Sequence, residues 1–171
     1  TTGLLPSSIK TAAVLGFPSG AHNPLVKSRE AQQACEHGAN EIDMVVNLAL
    51  VSSANWSAIT DEVSAVRAAI PSGVILKVII ESALWSDEQI IGACSAAVLG
   101  GADFVKTSTG FHKSGGASIA AVQLMRKTVG ETIGVKASGG IRTYADAIAM
   151  IEAGASRIGA SSSRIILAEA Q

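Results

Sequence analysis

The chain has 171 residues and a formal net charge of −1 at neutral pH. Hydrophobic residues make up 48% of it and charged residues 16%, so it carries enough apolar side chains for a core and is not of the disordered class. Its near-neutral charge provides no basic surface of the kind that binds nucleic acid or an anionic membrane. We therefore predict one globular domain over 1–171, with neither nucleic acid nor a membrane as a partner.

The cysteines and histidines give no sign of a disulfide framework or a metal site. Cys35 and Cys94 lie in alanine-rich segments with helical spacing and form no CxxC pair. Reduced thiols and a cytoplasmic location are expected on that basis. The three histidines, His22, His37 and His112, are scattered and lack the spacing of metal ligands. The sequence predicts no metal and no cofactor.

Six short apolar runs rich in β-branched residues predict strands that are buried on both faces, as in a parallel sheet. These runs cover 11–17, 41–47, 74–80, 103–109, 133–138 and 157–161. Segments with helical spacing, such as 59–70, lie between them. Capping-box pairs at Ser86 with Gln89 and at Thr143 with Asp146 predict two helix starts. The chain is therefore a βα repeat that recurs about every thirty residues.

Charged residues inside the strands favour a barrel over a doubly wound sheet. Asp43, Lys77, Lys106 and Lys136 interrupt apolar strands, and a sheet covered by helices on both faces has little use for them. A barrel interior has an upper layer that can be polar, with chemistry at the carboxyl ends of the strands. We therefore predict an α/β fold of the TIM (β/α)8 barrel family. Eight units typically take about 250 residues, so about six are expected here and the other two before Thr1.

Lys106 and Lys136 each stand about three residues before a glycine-rich strand end, so they are expected at similar depth. A buried ammonium must pair, lose its proton or face a cavity. In a structural interpretation the lysines pair with Asp43. In a functional one, a neighbouring cation leaves one lysine as a free amine for Schiff-base chemistry, and Asp43 transfers protons. Both interpretations can hold together. Lys77 and Glu81 are expected to pair with each other or with the same network.

Two turns rich in glycine and serine predict a phosphate site. Gly139 and Gly140 lie between a strand and a helix, and the last strand ends with Gly159, Ser161 and Ser162. The loops after the seventh and eighth strands of a barrel often bind phosphate through backbone N–H groups and a helix N-terminus. Ordinary turn glycines and N-capping serines explain either turn alone. The presence of both turns in consecutive units favours phosphate binding.

Six strings of the sequence, taken in order, resemble the deoxyribose-phosphate aldolase family. They are GFPSG (16–20), GANEIDMVVN (38–47), LKVIIE (76–81), GADFVKTSTGF (101–111), VKASGGIRT (135–143) and EAGASRIGASS (152–162). The resemblance implies a class I aldolase on a (β/α)8 barrel that acts in deoxyribonucleotide catabolism. The reaction it implies is the reversible cleavage of 2-deoxy-D-ribose 5-phosphate to D-glyceraldehyde 3-phosphate and acetaldehyde, without a metal.

The resemblance also implies roles for individual residues. Lys106 is expected to be the Schiff-base lysine, Lys136 the second lysine that perturbs it, and Asp43 the aspartate of the proton relay. The residues expected to hold the phosphate are Gly110, Gly139, Gly140, Gly159, Ser161 and Ser162.

Two other functions are kept as alternatives. One is a different phosphosugar barrel enzyme, either an isomerase or a transaldolase-like enzyme, that uses the same phosphate loops. The other is a non-catalytic, truncated barrel fragment that keeps the site residues without organising them. The expected partner is a small phosphorylated sugar. A homo-oligomer would also cover the two edges that an open six-stranded sheet exposes.

Overall fold

The computed structural model describes Pro6 and residues 8–171. Its strands are β1 (Ala12–Leu15), β2 (Glu41–Val45), β3 (Ile75–Ile79), β4 (Phe104–Lys106), β5 (Gly134–Ser138) and β6 (Arg157–Gly159). They form one sheet in which neighbours in sequence are neighbours in space, and every pair is parallel. All six predicted strands are confirmed, although each is shorter than its apolar run. The units expected before Thr1 lie outside the described residues.

Helices alternate with the strands, which gives six βα units. The helices are α1 (Pro24–Glu36), α2 (Leu48–Ser52), α3 (Trp56–Ala69), α4 (Asp87–Leu99), α5 (Ile119–Val129), α6 (Tyr144–Glu152) and α7 (Ser163–Glu169). Both predicted capping boxes are present, at the starts of α4 and α6. Within the described part of the chain, every helix is too short or too polar to span a bilayer.

The sheet is curled into part of a barrel. Arg157 of β6 donates a hydrogen bond to Glu41 Oε2 of β2 at 2.5 Å, although these strands are four positions apart in the sheet. In a flat sheet, four strand spacings would separate them by about 19 Å. The contact therefore requires a concave inner face, as the predicted barrel fold implies.

The core lies between the outer face of the sheet and the helices. Ile42, Met44 and Leu76 point outwards from the sheet and are completely buried, as are Val63 of α3 and Met125 of α5. Because the helices supply this apolar layer, the inner face is left to carry the charged side chains. The fold thus separates packing on one side of the sheet from polar groups on the other.

Candidate active site

Asp43 lies at the centre of the inner face and accepts hydrogen bonds from three lysines. Lys106 Nζ and Lys136 Nζ each donate to Asp43 Oδ2 at 2.7 Å, and Lys77 Nζ donates to Oδ1 at 2.7 Å. The register of the strands causes this convergence, because Asp43 faces Lys77 across β2 and β3 and Lys106 faces Lys136 across β4 and β5. The expected similar depth of Lys106 and Lys136 is confirmed, because the two residues are paired across β4 and β5.

A second carboxylate extends the cluster towards the amino-terminal ends of the strands. Glu41 Oε2 lies 2.7 Å from Lys77 Nζ and also accepts the hydrogen bond from Arg157. Lys77 therefore joins the Asp43 network and does not pair with Glu81, so that alternative is wrong. The physical reason is the backbone at Glu81, which has a left-handed φ of 55° and turns its carboxylate to Thr109.

The electrostatic environment lowers the pKa of two of these groups, Asp43 and Lys136. Burial opposes the negative charge on Asp43, but the ammonium of Lys106 and hydrogen bonds from all three lysines outweigh it and hold the pKa of Asp43 well below its usual range. Burial lowers the pKa of Lys136, and the charges of Lys106 and Lys77 add to this effect, while Asp43 raises it in part. Lys136 thus gives up a proton more readily than an exposed lysine does.

A cavity of about 440 Å³ opens directly above the lysines, at the carboxyl ends of the strands. Lys106 and Lys136 form part of its wall, and three turns form the rest: 109–111 after β4, 138–142 after β5 and 159–161 after β6. This is the edge at which barrel enzymes place their chemistry. The arrangement brings two amines and three turns to one cavity.

Five of the six predicted phosphate residues line this cavity, and the sixth does not. The five are Gly110, Gly139, Gly140, Gly159 and Ser161. Ser162 lies outside the lining, where it precedes the first residue of α7 and makes no side-chain capping bond.

The turn after β5 requires glycine for its shape. Gly139 and Gly140 both have a φ of 83°, which strains any residue with a Cβ atom. Gly116 packs on this turn so closely that a Cβ atom there would lie 2.2 Å from the carbonyl oxygen of Gly139. Ala117 N–H donates to the carbonyl oxygens of Ser138 and Gly139 at 3.1 and 3.0 Å. The loop after β4 therefore supports the turn after β5.

Three polar residues of the cavity, Thr109, Ser138 and Arg142, were not found by the sequence analysis. Ser138 stands two residues after Lys136, so strand alternation places both on one face and could have identified it. Arg142 directly follows the glycine turn, where a basic residue is itself a signal for an anion. Thr109 has no comparable signal, because its position depends on contacts between two loops. Among the described residues, no group of three or more His, Cys, Asp or Glu side chains could hold a metal ion.

Comparisons with known proteins agree with the curled parallel sheet. The fold is that of the barrel aldolases, enzymes that cleave carbon–carbon bonds. A family model described as "DeoC/LacD family aldolase" matches residues 9–169, so the chain belongs to the DeoC/LacD family of aldolases.

Curated relatives match over nearly the whole chain. It is 58% identical to a deoxyribose-phosphate aldolase of Kocuria rhizophila, over 95% of this chain and 75% of the relative. It is 53% identical to a deoxyribose-phosphate aldolase of Corynebacterium diphtheriae, over 96% of this chain and 76% of that relative. The chain thus spans about three-quarters of the length of these proteins.

Solved structures of aldolases share this fold. The structure of "QR15, an Aldolase" superimposes with a TM-score of 0.91 at 39% identity and covers 97% of this chain and 74% of its own. The tetrameric structure of a deoxyribose phosphate aldolase from Aeropyrum pernix gives a TM-score of 0.85 at 39% identity over 94% of this chain and 68% of its own.

Proposed function

We propose that the chain is a Schiff-base aldolase that reversibly cleaves 2-deoxy-D-ribose 5-phosphate to D-glyceraldehyde 3-phosphate and acetaldehyde. The observation that carries the proposal is the sharing of Asp43 Oδ2 by Lys106 and Lys136, each at 2.7 Å, at the floor of the cavity. The names of the curated relatives support the choice of sugar.

Lys106 supplies the nucleophile. Its free amine attacks the C1 aldehyde of the open-chain sugar, and loss of water gives a protonated imine. The C2–C3 bond then breaks as the C3 hydroxyl loses its proton, and the electron pair of that bond moves into the imine to form an enamine. D-Glyceraldehyde 3-phosphate leaves at this point. Protonation of the enamine at C2 and attack of water on the imine carbon release acetaldehyde and restore the amine.

Asp43 and Lys136 assist Lys106 in this reaction: Asp43 holds the two amines, and Lys136 transfers protons. Asp43 stays ionised because the lysines around it hold its pKa low, so it keeps the amines at the floor of the cavity in place. Lys136 has a lowered pKa and shares an acceptor atom with Lys106, so it is placed to take a proton from a reacting group and return it.

The phosphate binds at the three turns that line the cavity opposite the lysines. Glycines at these turns let backbone N–H groups approach an anion closely, since no side chain stands between them. A Cβ atom added to Gly110 or to Gly140 would meet no atom within 4 Å, so both residues border open space. Gly139, Gly159 and Ser161 complete the cradle, and the sugar extends from it to Lys106.

Borohydride trapping tests this proposal. The chain is incubated with 2-deoxyribose 5-phosphate, reduced with sodium borohydride, and analysed by intact mass and peptide mapping. We expect one stable adduct on Lys106, no adduct in Lys106→Leu, and an unchanged adduct in the control Lys127→Leu, whose lysine is exposed on α5. An adduct on Lys136 would move the nucleophile, and the absence of any adduct from a cooperatively folded chain would contradict the proposal.

We further propose that the chain works as a homo-oligomer in the cytoplasm. Ile151 of α6 and Ile165 and Leu167 of α7 are each more than half exposed, which leaves an apolar surface at this side of the sheet. The related aldolase of Aeropyrum pernix is described as a tetramer, which supports self-association here. Light scattering coupled to gel filtration tests the proposal, and a strictly monomeric mass at micromolar concentration would contradict it.

A further inference from the structure

Glu81 lies just beyond the end of β3, where the chain bulges against β4. Ile80 N–H donates to the carbonyl oxygen of Lys106 at 3.0 Å, and Ser82 N–H donates to that of Thr107 at 2.7 Å. Two steps along one chain therefore match one step along the other, as in a β-bulge. Glu81 is the residue at the bulge, and its left-handed φ of 55° is uncommon for a residue other than glycine. Such backbone strain concentrates at functional sites.

The Glu81 side chain is only 1% exposed and is committed to a single partner residue. Thr109 N–H lies 3.2 Å from each carboxylate oxygen, and Thr109 Oγ1 donates a hydrogen bond to Oε2 at 2.5 Å. In the part of the chain that the structure describes, no ion pair involves Glu81. Glu81 is therefore separate from the lysine cluster around Asp43, and it is not a charged residue of the surface.

This contact determines which N–H groups of the turn after β4 are free. Thr109 Oγ1, held by Glu81, accepts the N–H of Phe111 at 3.1 Å. The N–H groups of Thr109 and Phe111 are therefore both occupied. The N–H of Gly110, between them, bonds to no residue that the structure describes, and Gly110 lines the cavity with a φ of 84°. One donor of the three is left for a ligand.

We propose that Glu81 is a positioning residue for the anion end of the substrate. It acts through Thr109: by engaging the N–H and the hydroxyl of that residue, it fixes the turn so that the N–H of Gly110 faces the cavity. A carboxylate in direct contact with a phosphate would repel it. Glu81 is compatible with an anion site because its carboxylate is hydrogen-bonded to Thr109 and does not contact the anion itself. The inference rests on the proposed function, since it concerns the phosphate of the same substrate.

The test compares phosphorylated and unphosphorylated substrates. In Glu81→Gln the ratio of kcat/KM for 2-deoxyribose 5-phosphate to that for 2-deoxyribose is expected to fall about tenfold, the effect of weakening one charged hydrogen bond. The change should appear in KM for the phosphorylated sugar, because Lys106 is untouched. Thr109→Val removes the hydroxyl that donates to Glu81, so it breaks the same hydrogen bond from the other partner and should produce the same fall. Ser82→Ala is the matched control, since its buried hydroxyl has no partner among the described residues.

Glu81→Gln and Thr109→Val test the positioning role independently, so the proposal can be decided even if one of them fails to fold. An unchanged ratio in the folded variants would overturn the proposal, as would an equal loss for both substrates, which indicates general damage. Binding of inorganic phosphate, measured by calorimetry, gives an independent readout and should weaken about tenfold in Glu81→Gln. If the unmodified chain gave no borohydride adduct, the proposed function would fail, and the phosphate measurement would still test Glu81.

Discussion

The inner face of the sheet and the space between α1 and α3 both bury lysines, but the two environments differ in charge balance. Lys27 of α1 is fully buried, and its Nζ donates to Glu62 Oε1 of α3 at 2.6 Å and to the carbonyl oxygen of Val45 at 2.7 Å. Glu62 Oε2 accepts the N–H of Asn47 at 3.0 Å. One cation meets one carboxylate, and both carboxylate oxygens are used.

The inner face holds more cations than carboxylates. Its ion pairs join four cations, from Lys77, Lys106, Lys136 and Arg157, to the two carboxylates of Glu41 and Asp43. This cluster borders a cavity, whereas the Lys27 pair is sealed from solvent. An excess of positive charge beside an open space attracts anions and releases protons readily, and a neutral sealed pair does neither.

The comparison shows that a lowered pKa does not by itself identify a catalytic lysine. Burial lowers the pKa of Lys27 even though Glu62 opposes the shift, and burial also lowers the pKa of Lys136. The two lysines are distinguished by access to the cavity and by the number of other cations that share their carboxylate. Lys27 is a structural lysine that connects two helices to the end of β2.

The largest effect is expected from Lys106→Leu, which removes a cation from the unbalanced cluster. We expect retro-aldol cleavage of 2-deoxyribose 5-phosphate to fall by about a thousandfold or more, because no other amine occupies that position. The fold should persist, because the change relieves excess positive charge at Asp43. Steady-state kinetics and urea denaturation measure the two properties. Full retained activity would show that Lys106 does not form the imine.

The second-largest effect is expected from Asp43→Asn, which leaves Lys77, Lys106 and Lys136 without their shared carboxylate. Breaking a buried ionic cluster by removing one partner destabilises a protein by about 3–5 kcal/mol, and urea denaturation at neutral pH should show a loss of this size. Asp43→Glu is the control that keeps the charge. A loss below about 1 kcal/mol would mean that solvent already screens the cluster.

The same variant should change how stability depends on pH. The pKa of Asp43 is lower in the folded state than in the unfolded state, so Asp43 stabilises the fold above its ordinary pKa of about 3.9, and this contribution is lost as the pH falls below that value. The free energy of unfolding should therefore decrease less between about pH 5 and pH 2 in Asp43→Asn than in the unmodified chain.

A smaller loss, about 2–3 kcal/mol, is expected from Glu62→Gln. The amide keeps a hydrogen bond to Asn47 N–H but leaves the Lys27 ammonium buried with only the carbonyl oxygen of Val45 to accept from it. Borohydride trapping at Lys106 should be preserved in this variant at temperatures below its unfolding transition. The double variant Lys27→Met with Glu62→Leu should recover most of the stability, since apolar side chains replace the whole pair. Loss of trapping in folded Glu62→Gln would show that the two lysine environments are coupled.

The smallest effect is expected at an ion pair near the surface. Arg67 Nη1 lies 3.2 Å from Asp103 Oδ2, and the Asp103 side chain is 48% exposed. Asp103→Asn should change stability by less than about 1 kcal/mol, since water screens the pair and the amide can still accept the N–H of Leu76. Thermal denaturation at low and high salt measures the difference. A large loss would show that this pair behaves like the buried ones.

The sequence was sufficient to predict features that repeat along the chain. Charged residues inside apolar strands predicted a polar inner face, and the register of the strands brings Asp43, Lys106 and Lys136 together there. Capping residues marked helix starts because their hydrogen bonds are local. These features depend on neighbours within a few residues or on the regular spacing of strands.

Contacts that depend on curvature or on loop shape could not be predicted in this way. The Arg157–Glu41 contact needs the closing of the sheet, since 116 residues separate the two positions. The Glu81–Thr109 contact needs a left-handed backbone at a residue that rarely adopts it. The Lys27–Glu62 pair joins different helices, and each residue alone fits the polar face of an ordinary amphipathic helix.

The anchored loop after β4 has a consequence for protein engineering. Thr109 is fixed by Glu81 at one end, and Gly116 is packed on Gly139 at the other, whereas residues 111–115 between these anchors are all exposed. We expect residues 112–114 to accept changes of composition in a library, whereas Phe111, whose ring packs on Phe17, and Gly115, whose φ is 113°, are better left unchanged. Such a library would alter the loop beside the cavity while the lysines beneath it keep their positions.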